Sequence, residues 1–132
     1  MVMLNCAALA KLRAAENHFD EARRYCQLAQ EMSRETQNNF LRGHAYLMAG
    51  KVAQAEAQQA ADEQKQALLE EATKQFEIAH AHFSLTDAYD ERTETLTLWA
   101  QACEALGRSQ ESLHLWRSVY QTQARAKGLG ED

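Results

Sequence analysis

The sequence predicts an all-α fold, and three observations carry that prediction. The 132-residue chain contains no proline and only five glycines, so both the strongest helix breaker and the usual turn residues are scarce. Its β-branched aliphatics are Val2, Val52, Ile78 and Val119 alone, against 24 alanines, a composition that starves a sheet and feeds helices. Apolar residues recur at steps of three and four through most of the chain, the period of an amphipathic helix. The length suits one domain with its own core.

The periodicity divides the chain into about six helices. The first runs from about Met3 to Glu16, with Leu9 and Leu12 among alanines, and Asn17-His18 breaks it. The second runs from about Asp20 to Arg34 and carries Ala22, Cys26, Ala29 and Met32 on one stripe. Ser33 to Asn38 forms the next polar break. The third helix starts near Gln37 and holds Phe40, Leu41, Leu47, Met48 and Val52. Gly50 could end it, since glycine costs about 1 kcal/mol against alanine inside a helix. Lys51 to Ala61 is nevertheless made of strong helix formers, which favours one long helix to about Ala61 and a turn near Asp62 to Lys65. The fourth helix, about Gln66 to Phe83, has the cleanest stripe: Leu69, Ala72, Phe76, Ala79 and Phe83. After Ser84 to Asp87, with Thr86 or Asp87 as N-cap, the fifth helix carries Tyr89, Leu96, Trp99, Cys103 and Leu106, and Gly107 closes it as a left-handed cap. The sixth spans about Gln110 to Ala124 with Leu113, Trp116 and Tyr120. Residues 125–132 read as a flexible polar tail. Such short breaks make antiparallel helix hairpins, at about 3–34, 37–83 and 87–124.

Charge and motif content exclude several function classes. Nineteen acidic against fourteen basic residues give a net charge of −5, and Arg23-Arg24 sits among Asp20, Glu21 and Glu31, so no basic stripe for nucleic acid forms. No apolar run is long enough for a membrane span, and the first residues lack the basic region of a signal peptide, which predicts a cytoplasmic protein. Three dispersed cysteines, Cys6, Cys26 and Cys103, predict buried thiols, with a Cys6–Cys26 bridge between neighbouring helices as the alternative. The histidines His18, His44, His80, His82 and His114 include no i, i+4 pair, and His80 and His82 lie about 200° apart around a helix, so no metal site is expected. Glycine-rich phosphate loops and nucleophile elbows are absent, and Glu70-Glu71 and Glu91/Glu94 read as surface carboxylates. Trp99 and Trp116 read as core. The chain is therefore expected to be no enzyme and to take no cofactor.

An internal repeat supplies the positive signal. NHFDEARRYCQLA (Asn17 to Ala29) aligns without gaps with GRSQESLHLWRSV (Gly107 to Val119), and EEATKQFEIA (Glu70 to Ala79) repeats the core of the pattern. The matched small, large and small residues are Ala22, Cys26, Ala29; Ala72, Phe76, Ala79; and Ser112, Trp116, Val119. This pattern resembles the second helix of the tetratricopeptide repeat, with Leu9-Ala10 and Trp99-Ala100 at the family's Leu-Gly site. Tyr46 and Gly50, or alternatively Gly43 and Tyr46, match the family's aromatic and glycine in the middle hairpin. The likeness spans about Met3 to Tyr120. Its repeats are long: Ala22, Ala72 and Ser112 stand 50 and 40 residues apart, where the family's period is roughly 34, and the proline that closes each repeat is missing. The later hairpins are similar to repeat domains at the C-terminal ends of bacterial helix-turn-helix transcription regulators.

The resemblance implies a short right-handed solenoid of stacked hairpins that binds a protein or peptide in a concave groove lined by first-helix side chains. Carried over, the groove positions are Lys11 and Ala14 in the first hairpin, His44, Leu47 and Lys51 in the second, and Thr97, Gln101 and Glu104 in the third. Ala7 stands where the family's first carboxylate-clamp lysine would be. The alternatives are a sensor or dimerisation domain of a transcription regulator, and a closed helical bundle with a small-molecule or metal site. A short solenoid also leaves Leu4 and Leu12 at one end, and Leu115 and Tyr120 at the other, uncapped, which leaves room for self-association.

Overall fold

The computed structural model describes residues 2–128. Six helices fill them: α1 (Val2–Ala15), α2 (Phe19–Arg34), α3 (Asn39–Gln59), α4 (Asp62–Phe83), α5 (Tyr89–Ala105) and α6 (Ser109–Ala126). No strand is present among the described residues. The fold is all-α, and α1–α2, α3–α4 and α5–α6 pair as consecutive hairpins. Each helix packs only on helices one or two places away in the chain: α1 on α2 and α3, α2 on α3, α3 also on α4 and α5, α4 on α5, and α6 on α5.

The turns show why the helices end where they do. Asn17 takes a positive φ of 63°, and the amides of Asn17 and His18 donate to the carbonyls of Ala14 (3.0 Å) and Arg13 (2.8 Å). Gly107, at φ 78°, repeats that turn between α5 and α6: Gly107 N–H donates to Glu104 O (3.0 Å) and Arg108 N–H to Cys103 O (2.9 Å). Both are the paired-bond helix ending that satisfies two orphan carbonyls through one left-handed residue. The α2–α3 break ends at Asn38, whose side chain accepts from Leu41 N–H at 3.1 Å and caps α3.

Three boundaries differ from the sequence expectation. The third helix does run through Gly50, but the turn after it is Ala60-Ala61, both extended, instead of Asp62 to Lys65. Asp62 and Glu63 occupy the first turn of α4, where carboxylates complement the helix dipole and stabilise a start more than a break. Neither Thr86 nor Asp87 caps α5. Ala88 holds that position, and the Thr86 hydroxyl accepts from Ala88 N–H (3.1 Å) and donates to Phe83 O (2.7 Å). Helix α6 continues through Arg125 and Ala126, two residues into the expected tail. Residues 129–132 of that tail, and the side chain of Leu4, lie outside the described residues.

The core is a chain of local clusters. Ala10, Ala14, Ala22 and Cys26 pack with Met48 and Val52 where α1, α2 and α3 meet. Leu47, Phe76, Phe83 and Ala102 fill the space between α3, α4 and α5. Leu96, Ala100, Cys103, Leu115 and Val119 join α5 to α6. The glycines of α3 permit the tightest contact. A Cβ at Gly43 would lie 2.6 Å from Phe83 Cε1, and one at Gly50 would lie 2.6 Å from Phe76 Cδ1. Gly50 therefore stays helical because tertiary packing against Phe76 outweighs its poor propensity.

Two core assignments fail. Helix α6 faces α5 with Ser112, Leu115, Val119 and Thr122, whereas Leu113 is exposed and Trp116 is half-buried; Tyr120 is exposed, as the uncapped-end expectation has it. Leu115 is thus buried (4% exposed) instead of lying uncapped at the chain end. Trp99 is half-buried as well, packed beside His80. On α1, Leu12 is exposed, as the uncapped-end expectation has it, and the buried side is built from Met3, Cys6, Ala7, Ala10 and Ala14. Small residues serve there because α2 and α3 both approach closely. The three thiols are free and buried, so no Cys6–Cys26 bridge forms.

Candidate functional site

Helices α1 and α3 lie side by side and leave a hollow of about 200 Å³ between them. Ala14, Met48, Val52 and Ala55 give it an apolar floor, and Lys11 and Lys51 stand at its rim. The helix period explains the grouping. Met48 precedes Lys51 by three residues and Ala55 follows it by four, so all three share one side of α3. Lys11 and Ala14 are likewise three apart on α1. Lys51 Nζ reaches across to Glu94 Oε2 of α5 at 2.6 Å, with both side chains partly solvated. Exposed pairs of this kind contribute about 0–1 kcal/mol, so an incoming carboxylate can compete for the ammonium at small cost.

The eight predicted groove residues are not one cluster. Lys11, Ala14 and Lys51 converge on the hollow. His44 sits two turns before Lys51 on α3, half-buried, its ring edge-on to Phe40 (4.7 Å) and Phe83 (5.7 Å). Burial holds its pKa below the ordinary value, with Glu91 and Glu94 acting in the opposite sense and Lys51 adding to the depression. Leu47 is a correction: at 1% exposure it belongs to the core with Phe76 and Phe83 and lines no groove. Thr97 returns its hydroxyl to Thr93 O (2.8 Å), and Gln101 is exposed on α5. Glu104 faces α6, where it accepts from Ser112 Oγ (3.2 Å) and from the Trp116 indole N–H. Met48, Val52, Ala55 and Glu94 were missed as groove residues. The first three carry a legible signal, the i−3 and i+4 spacing of Met48 and Ala55 from Lys51 and the i+4 spacing of Val52 from Met48, but their apolar or small character reads equally well as core.

A second concave region opens where α2, α3 and α4 meet. Arg23 of α2 donates to Glu56 of α3 (Nε to Oε1, 2.9 Å) and to Glu71 of α4 (Nη1 to Oε2, 3.3 Å). Gln30 Nε2 donates to Gln75 Oε1 at 3.2 Å beside it. One guanidinium shared by two carboxylates ties the first hairpin to the second, with three of its five N–H donors engaged. Cys26 lies below, where burial pushes its thiol up to about 12. Burial, reinforced by Glu111, pushes Cys103 up to about 11. Neither thiol ionises near neutral pH, and the thiolate is the nucleophile.

The remaining polar groups form separate structural contacts. Arg42 Nε donates to Ser33 O (3.1 Å), His82 Nδ1 meets Asn39 Oδ1 (3.2 Å), and the His82 ring stacks on Tyr46 (5.9 Å). Arg108 bridges α6 to Glu70 of α4 at 2.7 Å. Among the described residues, no group of three or more His, Cys, Asp or Glu side chains is placed to hold a metal ion. No described helix is long and apolar enough to cross a membrane. No protein-family model matches the chain, and comparison with curated proteins and with solved structures finds no match.

Proposed function

We propose that this chain is a non-catalytic repeat module of tetratricopeptide-like, right-handed solenoid design that binds a protein or peptide in the groove between α1 and α3. The observation that carries the reading is the hollow itself, lined by apolar Ala14, Met48, Val52 and Ala55 together with Lys11 and Lys51. Such a site takes an aliphatic side chain next to a carboxylate: the floor removes the side chain from water while a lysine receives the charge. The neighbour-only packing of the helices and the identical turns at Asn17 and Gly107 support stacked repeats over a closed bundle. The buried, unionised thiols support a binding role over nucleophilic catalysis.

The test is a set of peptides that carry an aliphatic residue beside an aspartate, a glutamate or a free C-terminus, titrated calorimetrically. Lys11→Glu and Lys51→Glu are expected to abolish binding of the best peptide, and Val52→Phe, which fills the floor, to weaken it at unchanged salt sensitivity. Unchanged affinity in both lysine variants rejects the groove.

A further inference from the structure

The internal repeat locates a second interaction surface, at the far end of the molecule from the groove. Leu113, Trp116 and Tyr120 of α6 correspond, 40 residues earlier, to Thr73, Phe76 and His80 of α4, and 90 residues earlier to Arg23, Cys26 and Gln30 of α2. In the first two hairpins this strip supports the first helix of the next hairpin. Cys26 packs with Met48 and Val52 of α3. Phe76 packs with Ala102 of α5, and the His80 ring lies 6.1 Å from Trp99 of α5. On α6 the same register is occupied by larger apolar side chains and no described helix covers it: Leu113 is 54% exposed, Tyr120 is 71% exposed, and Trp116 is half-buried. Their spacing of three and four places them within about 60° of one another around the helix, on a different side from Leu115 and Val119.

Charge defines what fits there. Residues 112–128 carry Arg117, Arg125 and Lys127 and no Asp or Glu, although the chain as a whole is −5. Arg117 falls within about 40° of Leu113 around the helix, with Lys127 just past the end of α6, so the Leu113 side of the strip has a basic margin, while on the other side Glu104 of α5 accepts the Trp116 indole N–H. Helix α1 is also acid-free, with Lys11 and Arg13, so end-to-end stacking of two copies would oppose like charges. The helix that covers the equivalent strip of α4 is acidic: α5 holds Asp90, Glu91, Glu94 and Glu104 against Arg92 alone. We infer that the Leu113–Trp116–Tyr120 face of α6 is a docking surface for an acidic amphipathic helix of another protein, which lies on α6 as α5 lies on α4.

The probe is a labelled synthetic peptide with the sequence of residues 87–106 of this chain, Cys103 replaced by serine, titrated into the intact protein and followed by anisotropy. Saturable binding is expected that weakens as salt rises, that Leu113→Glu and Tyr120→Glu each reduce at least about tenfold, and that is lost when the peptide's acidic residues are changed to lysine. Both substituted positions are exposed, so unchanged circular dichroism and melting confirm that the variants fold. Lys11→Glu and Lys51→Glu are expected to leave this binding intact, which separates it from the groove. Absence of saturable binding, equal binding of the lysine peptide, or indifference to both α6 variants overturns the proposal. So does a dimer of the intact chain in sedimentation that Leu113→Glu dissolves, because the occupant would then be a second copy.

Discussion

Helices α4 and α6 occupy the same place in successive hairpins, yet one is sealed and the other is bare. At the shared register position α4 carries Phe76, fully buried, and α6 carries Trp116, half-buried at the surface. The difference lies in the neighbours and not in the side chains. Phe76 has Gly50 of α3 beneath it and Ala102 of α5 against it, two positions with little or no side chain, so a large ring fits without a void. Trp116 has α5 on one side only and spends its indole N–H on the Glu104 carboxylate. Hydrophobicity alone therefore does not decide burial in this molecule. Cover by a second helix among the described residues does.

Three measurements would break or sharpen that comparison. The largest effect is expected for Phe76→Ala, about 4 kcal/mol in urea denaturation, because the ring is fully buried and its neighbours Gly50, Ala53, Ala72 and Ala102 are too small to fill the cavity. Trp116→Ala should cost less, about 2 kcal/mol, since the indole is only partly buried and packs on α5 alone. Equal losses at the two sites would show that α6 is covered in solution. The next effect is Gly50→Ala. The added methyl would meet the Phe76 ring, and about 2 kcal/mol of destabilisation is expected, whereas an ordinary helical glycine gains about 1 kcal/mol from the same change. The double variant Gly50→Ala/Phe76→Leu should recover part of the loss, which a double-mutant cycle would detect as coupling.

The smallest effect is in pH dependence. His44 and His80 are half-buried in the middle of the molecule and held below the ordinary histidine value of 6.5, by burial first, with Arg92 adding to the shift at His80. His82 is shifted in the same direction by burial and by Arg42. A histidine whose folded pKa is depressed binds its proton more readily in the unfolded chain. Stability is thus full above about pH 6.5 and falls as pH drops through the window between the unfolded and folded values. Melting temperatures measured from pH 7.5 down to about 5 should decline. His44→Gln combined with His80→Gln should flatten the slope, and an unchanged slope would place the titrating groups elsewhere.

Helix content was legible because local physics sets it. Each alanine, leucine and glutamate favours a helix wherever it stands, and the Asn17 and Gly107 breaks need only one left-handed residue each. The stripes of α2 and α4 were legible for the same reason, with Ala22, Cys26, Ala29, Phe76 and Phe83 buried. The stripe of α6 misled because Leu113, Trp116 and Tyr120 make as good a helical face as Ser112, Leu115, Val119 and Thr122. Periodicity reports two faces there and cannot say which one meets α5. The candidate groove was half legible. Lys11, Ala14 and Lys51 come together, whereas Leu47 stands one residue from Met48 and turns into the core instead. A shift of one residue is about 100° around a helix, enough to exchange groove for interior.

By itself the sequence determined an all-α chain, its breaks to within a few residues, and the repeat of small and large residues at Ala22, Ala72 and Ser112. The tertiary structure decided that the third helix continues through Gly50 under Phe76, that Ala60-Ala61 makes the turn, and that α6 shows solvent its larger face. Propensity and periodicity act within a single helix and are written into it. Burial is a relation between two helices, and neither carries the position of the other.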